Sequence, residues 1–301
     1  MSEIYTPQQI DEIFCQNGFA HDHPTLTNVG FRNQVYIGEH AVLKVYGDDN
    51  KSGYQKERWF YETANLDCIP KLYACGDNWI LIERIHGVGL FRHWRSISDA
   101  EREAIVKQIA AAALAVSDLD LSGTAEFLPY SDDYQKSVLE KIDHLTQQVR
   151  SVNGIDETLL SCAVAYVHKY AYVLDDTQLY PVHTDLHFDN FLVKDDGSIV
   201  LIDFEMLEAA PKDMVLDVWQ RMLLHPFTYA NEEDDPHTHA EDYQSLMIWI
   251  QKYAPELFSH PQVRRRVNLY AICYELDCLC EYPRAQKPTE RLERYLKEVL
   301  W

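Results

Sequence analysis

The sequence predicts an α+β chain of two lobes, a small β-rich N-lobe followed by a larger helical C-lobe. Three observations predict it. Short β-branched and aromatic runs recur between residues 25 and 83. After Gly87, apolar residues recur at helical spacing. Within that helical stretch, one hairpin signal stands at residues 191–202. The lobes are expected over residues 1–86 and 87–301.

Taken in order, Thr6-Pro7-Gln8-Gln9 carries an N-cap, a first-turn proline and a capping-box Gln, with Gly18 as the stop. Strands are expected at Thr25–Val29, Gln34–Gly38, Ala41–Tyr46, Lys71–Cys75 and Trp79–Glu83, with a helix from Ser52 to Leu66 between them. Ser98-Asp99-Ala100-Glu101 is a second capping box, opening a helix through Val116. Further helices are expected at 132–150, 156–175, 240–253, 261–281 and 289–300 and around Val215–Leu224. Phe191–Val193, a turn with Asp196-Gly197, and Ile199–Ile202 make the hairpin.

Composition narrows the function. The chain has 301 residues, 47% of them hydrophobic and 25% charged, enough apolar material for a packed core. Asp and Glu number 48 against 27 Lys and Arg, a formal charge of −21. That balance excludes affinity for nucleic acid through phosphate contacts, which needs Lys and Arg, and docking on an anionic membrane. It favours a positively charged partner, although acidity also serves solubility. No basic, apolar leader opens the chain, and the longest apolar run, Ile109 to Val116, falls far short of the roughly 20 residues that cross a bilayer. Seven irregularly spaced cysteines fit reduced thiols rather than a disulfide framework or a zinc site. A cytoplasmic protein is expected.

The strongest chemical signal is His183-Thr184-Asp185-Leu186-His187-Phe188-Asp189-Asn190, with the spacing H-x-D-x-x-x-x-N, followed on the return strand by Ile202-Asp203-Phe204. Phosphoryl transfer needs one carboxylate to take or orient the proton of an attacking hydroxyl, and an amide plus a second carboxylate to hold Mg²⁺ against the nucleotide phosphates. A hairpin between Asn190 and Asp203 brings two such oxygen donors to one end. Lys44 stands mid-strand in Ala41–Tyr46, where a buried ammonium needs an anion. Glu57 is its expected partner, with Glu62 as the alternative. Trp79–Gly87 reads as an apolar strand ending at a glycine, a hinge where backbone groups would meet a flat purine edge.

Lys44, Glu57, the 82–87 segment, His183-x-Asp185-x-x-x-x-Asn190 and Asp203-Phe204 together resemble the aminoglycoside phosphotransferase and choline kinase superfamily, the small-molecule branch of the protein-kinase-like fold, over roughly residues 25 to 220. The resemblance implies a two-lobed kinase fold with ATP or GTP as phosphate donor. It implies Asp185 as catalytic base, Asn190 and Asp203 as Mg²⁺ ligands, and Lys44 on the α- and β-phosphates with Glu57 behind it. The Glu83 carbonyl and Ile85 amide would pair with the purine, and His183 would brace the catalytic loop. Three departures from protein kinases stand out: a single glycine in the loop Thr27–Asn33, Glu205 in place of the Gly of D-F-G, and no A-P-E signature after Ala209-Ala210-Pro211. Asp213 or Asp217 is expected to brace the loop by a hydrogen bond.

Acceptor choice should lie in the helical lobe. There Glu232–Asp235, Glu241, Asp242, Glu275, Asp277 and Glu281, with Asp189 in the catalytic loop, supply carboxylates suited to a polyamine or to simple solvation. His237-x-His239 reads as a surface loop. The first expectation is a phosphotransferase acting on a hydroxyl of a cationic small molecule, an aminoglycoside-type antibiotic. The second is a metabolic kinase for choline, ethanolamine, an amino alcohol or a sugar. The third is a catalytically silent kinase-like binding module.

Overall fold

Thr6 opens the first helix, α1 (Pro7–Gln16), through the expected capping box with Gln9, and Gly18 past its end takes φ +93°, a conformation glycine adopts without strain. In the computed structural model, residues 4–27, 33–151, 156–175, 177–226, 237–282 and 286–298 are described. The chain forms two compact units, one of residues 1–128 with 188–207 and the other of 129–187 with 208–301.

The first unit holds β1 (Thr25–Leu26), β2 (Asn33–Ile37), β3 (Ala41–Tyr46), β4 (Leu72–Cys75) and β5 (Trp79–Glu83) in one antiparallel sheet of order β1-β2-β3-β5-β4. Ile10 and Phe14 of α1 pack on Tyr36, Leu43, Val45 and Leu81, so one face of the sheet is covered by the N-terminal helix. α2 (Lys51–Thr63) follows β3. The same unit contains α3 (Leu90–Trp94), α4 (Asp99–Ser117), capped by Ser98 as expected, and a small sheet of β6 (Val88–Gly89), β8 (Phe191–Val193) and β9 (Ile199–Leu201). Gln108 of α4 clasps the hairpin turn, donating to the Gly197 carbonyl and accepting from the Ile199 amide, each at 3.1 Å.

In the second unit, α5 (Tyr134–Ser151), α6 (Glu157–Tyr170), α9 (Val263–Glu281) and α10 (Gln286–Leu296) share a core built on Ile142, Leu160, Leu276 and Leu292. α7 (Leu216–Leu224) and α8 (Leu246–Tyr253) belong to this unit as well. β7 (Tyr180–His183) pairs with β10 (Leu207–Ala210), two short strands the sequence pattern did not announce, since they lie far apart in the chain with no turn signal joining them.

The expected boundary at residue 86 is not where the compact units part. The hairpin strand β8 pairs with β6, and the Leu201 amide donates to the Cys68 carbonyl at 2.7 Å, so residues 87–128 and the hairpin belong with the N-terminal sheet. All seven cysteines are free thiols. Among the described residues, no helix is long and apolar enough to cross a membrane.

Candidate functional site

Lys44 sits on the central strand β3 and is 8% exposed. Its Nζ lies 2.7 Å from Glu57 Oε2 of α2, 2.7 Å from Asp203 Oδ1 and 3.8 Å from Glu205 Oε2. Tyr46, two residues on, donates its hydroxyl to the same Glu57 oxygen. A lone ammonium could not be buried so deeply, but three carboxylates repay its lost hydration. Burial works against the charge, and Glu57, Asp203 and Glu205 outweigh it, holding the Lys44 pKa above the ordinary lysine value. Between the two glutamates that sequence left open, the structure pairs Lys44 with Glu57. Glu62 instead meets Arg58 at 2.8 Å on the exposed face of α2.

The hairpin places the two expected metal donors at one end. Phe191 faces Leu201 in the ladder, and the Ile202 amide donates to the Asn190 carbonyl at 2.9 Å, so Asn190 stands beside the strand leading into Asp203. Asp203 takes φ +67°, a left-handed conformation uncommon for a residue with a Cβ, which turns the chain sharply between Ile202 and Phe204. Phe204 is fully buried, stacked on Phe60 at 3.7 Å and edge-on to Tyr61 at 5.3 Å, so α2 fixes the turn from below.

Glu205 receives the Asn33 amide at 2.6 Å and the Asn50 amide at 2.9 Å. Neither asparagine was singled out from sequence, since both contacts join residues more than 150 positions apart. Glu57, Asp203 and Glu205 have carboxylate oxygens within 4.8 Å of one another, and Asp203 is 40% exposed. Asp203, the most exposed of the three, offers a hard oxygen of the kind Mg²⁺ takes.

Asp185 belongs to the second unit. Its amide donates to His183 Nδ1 at 3.2 Å, its carbonyl accepts the His187 amide at 2.9 Å, and its Oδ2 lies 3.3 Å from His187 Nε2. Burial pushes the Asp185 carboxyl up, but His187 above all, with His183 and Arg221, brings it down to about 2. The group is therefore an ionised carboxylate at neutral pH. Trp219 of α7 donates its ring N–H to the Leu186 carbonyl at 3.1 Å and ties the loop to the helix behind it.

The expected bracing aspartates do other work. Asp213 is bound by Arg266 at 2.6 Å and by the Tyr270 hydroxyl at 3.1 Å, and Asp217 faces Arg221 at 3.4 Å. The Asp213 carboxylate is taken up by Arg266 and Tyr270, Asp217 faces Arg221 through one oxygen while the other is buried without a hydrogen bond among the described residues, and the bond that holds the loop comes from Trp219.

Glu83 ends β5, Arg84 donates its amide to the His40 carbonyl at 2.9 Å, and Ile85 follows, half-buried. The 82–87 segment lies within the first compact unit rather than at a division of units. Gly87 is required there, because a Cβ would meet the Val193 carbonyl oxygen at 2.7 Å.

Of the acceptor-side carboxylates, Glu275 is fully buried in a two-pronged pair with Arg291, at 2.7 and 2.6 Å. It is thereby removed from substrate contact. Asp189, Glu241, Asp277 and Glu281 are exposed, as are His237 and His239, which fits the surface reading of that pair. Glu232–Asp235 and residues 28–32 of the single-glycine loop lie outside the described residues.

A model of the phosphotransferase enzyme family matches residues 27–246. No curated protein sequence matches the chain. Among solved structures, the streptomycin–ATP ternary complex of APH(2″)-IIa superposes with a TM-score of 0.68 at 14% identity, covering 99% of this chain and 98% of that one. A thermostable mutant of the aminoglycoside phosphotransferase APH(4)-Ia, in complex with ADP and hygromycin B, gives 0.71 at 16% identity over 96% and 98%. The GDP and kanamycin complex of APH(2″)-IIia gives 0.65 at 16% identity over 97% and 98%. At these identities the likeness shows the fold, a two-lobed kinase-like one.

Proposed function

The chain belongs to the phosphotransferase enzyme family and is a small-molecule kinase, and from that premise we propose that it transfers the γ-phosphate of ATP or GTP to a hydroxyl of a cationic small molecule, an aminoglycoside-type antibiotic. The observation that carries this reading is the buried Lys44 ammonium held 2.7 Å from both Glu57 and Asp203. A lysine so placed has no packing role that an apolar residue would not fill better, and its charge suits phosphate oxygens.

In this reading residues 1–86 serve the nucleotide, with Lys44 on the α- and β-phosphates, Glu57 orienting Lys44, and the Glu83 carbonyl and Ile85 amide on the purine. Residues 87–301 carry the catalytic loop and the acceptor site. Asn190 and Asp203 would hold Mg²⁺, which would supply positive charge against the transferring phosphoryl group. Asp185 accepts the proton of the acceptor hydroxyl as the new O–P bond forms and the bond to the leaving nucleoside diphosphate breaks. The reaction runs in the cytoplasm and needs neither nucleic acid nor membrane.

A metabolic kinase for choline, ethanolamine, an amino alcohol or a sugar is the second reading. It gains support from Glu275, a carboxylate expected to face a polyamine but neutralised by Arg291.

The test is transfer of labelled phosphate from ATP and from GTP, with Mg²⁺, to kanamycin, hygromycin B, choline, ethanolamine and glucose. Turnover of an aminoglycoside, together with raised resistance in an expressing host, is the expected result. Turnover confined to choline, ethanolamine or glucose moves the assignment to the second reading. No turnover of any acceptor, with Asp185→Asn behaving as wild type, would sink both in favour of a silent binding module.

A further inference from the structure

We propose that His187 is a positioning residue for Asp185, fixing the orientation of the carboxylate that takes the acceptor proton. The inference rests on the reading of Asp185 as the base and concerns how the loop holds it.

The geometry is local. Asp185 is bracketed by the two histidines that flank it at i−2 and i+2. His183, 1% exposed, accepts the Asp185 amide on Nδ1 at 3.2 Å, so that nitrogen carries no proton. His187 closes the other side twice. Its amide donates to the Asp185 carbonyl at 2.9 Å, folding the backbone into a tight turn, and its ring Nε2 lies 3.3 Å from Asp185 Oδ2. The turn and the side-chain contact together hold one carboxylate oxygen against the ring, and the plane of the carboxylate follows. The Trp219 bond to Leu186 at 3.1 Å anchors the residue between the two.

Nothing in phosphoryl transfer itself calls for a second imidazole here. The base needs only one oxygen aimed at the hydroxyl, and a small rotation about χ1 or χ2 would misaim it. The Asp185 side chain is 34% exposed, so packing alone does not immobilise it, whereas His187 is 17% exposed and better held. A more rigid ring therefore steadies a less rigid carboxylate. Of the titratable and charged groups beside Asp185, among them His187, His183 and Arg221, His187 brings its carboxyl down most. With His187 gone, the largest influence opposing burial is lost, and the carboxylate becomes easier to protonate.

The experiment uses the full chain and the slow hydrolysis of Mg-ATP, in which water takes the acceptor's place. Three variants are compared with wild type, His187→Ala, His187→Gln and Asp185→Asn, with melting temperature as the check on folding. His187→Ala should lower kcat about tenfold at neutral pH and leave KM for ATP within about twofold. The acid limb of its kcat–pH profile should move up by about one pH unit or more. His187→Gln, which keeps a donor at comparable reach, should recover most of the neutral-pH rate.

A second readout needs no turnover. In protein labelled with ¹⁵N in its histidine rings, the His187 Nε2 signal should shift in Asp185→Asn and stay put in Asp213→Asn. A folded His187→Ala protein with unchanged kcat and acid limb overturns the proposal, as does a His187 signal indifferent to Asp185→Asn. Equal losses in His187→Ala and His187→Gln at every pH also overturn it, leaving a structural role only. Wild-type hydrolysis by Asp185→Asn would remove the base assignment itself, a different failure from any of these.

Discussion

Lys44 and Glu57 illustrate what a single residue can reveal. A lysine in the middle of an apolar strand is conspicuous in sequence, and the pairing with Glu57 rather than Glu62 follows from which face of α2 is buried, since Glu57 is 1% exposed and Glu62 lies at the surface. Replacing Lys44 by Met leaves the Glu57 carboxylate buried without its ammonium, and the expected loss is about 3 kcal/mol of unfolding free energy in urea. Glu62→Gln should change stability by less than about 0.5 kcal/mol, because it breaks only an exposed i,i+4 pair. Equal effects from the two would show that the buried pair is not what stabilises this region.

Asp217 offers a pH-dependent counterpart at the same scale. Burial raises its carboxyl to about 6, with Arg221 and Arg291 opposing. A carboxyl raised on folding binds its proton more tightly in the native state, so its contribution to stability is greatest below the unfolded value near 4 and falls as pH rises to 6. Asp217→Asn should therefore gain on wild type by about 3 kcal/mol between pH 4 and pH 7. A wild-type-to-variant difference flat over that range would refute the shift. Arg221 is the i,i+4 neighbour of Asp217 on α7 and could be read from the sequence, but Arg291 stands 74 positions on and only tertiary packing brings it near.

Elements were legible in proportion to their length and punctuation. Both capping boxes, at Thr6 and Ser98, formed as expected, because a cap is written in four consecutive residues. The hairpin was equally plain, with Gly197 at φ +79° in its turn. By contrast α3, β6, β7 and β10 span two to five residues each, too few to show a period, and exist because neighbours complete them. Gly87 links these two classes. Its place at the end of an apolar strand was readable, but the reason for glycine, the Val193 carbonyl oxygen 2.7 Å from where a Cβ would stand, comes from the hairpin 106 residues further on. Gly87→Ala must push β6 off β8, and an expected destabilisation of about 2 kcal/mol can be read from a denaturant melt. Gly89→Ala is the control, since nothing lies within 4 Å of a Cβ there. If Gly87→Ala were as mild as Gly89→Ala, the close approach would carry no energy.

At the scale of the whole molecule, the fold class was readable while the partition of the chain was not. Local periodicity announces strands before helices, yet the compact units exchange segments, the chain crossing between them after His187 and again after Leu207. The H-x-D-x-x-x-x-N run therefore spans the two, with Asp185 in one unit and Asn190 in the other, a property that no linear pattern encodes. Net charge is the other molecular quantity, and here it yields a prediction about the acceptor. A formal charge of −21 surrounds any approaching ligand with a negative field whose reach is the Debye length, about 30 Å at 0.01 M salt and about 8 Å at 0.15 M. A polycation such as kanamycin would be drawn in by that field, and kcat/KM for its phosphorylation should fall several-fold, up to about tenfold, between those two ionic strengths. Glucose, being neutral, should show no comparable change, which separates the field acting on the acceptor from any salt effect on the nucleotide step common to both. Mg-ATP, itself anionic, should be held at saturation so that its own repulsion does not enter. If kanamycin turnover proved as indifferent to salt as glucose turnover, the acidity of the chain would be a device for solubility alone, and the preference for a cationic acceptor would have to rest on individual carboxylates such as Asp277 and Glu281.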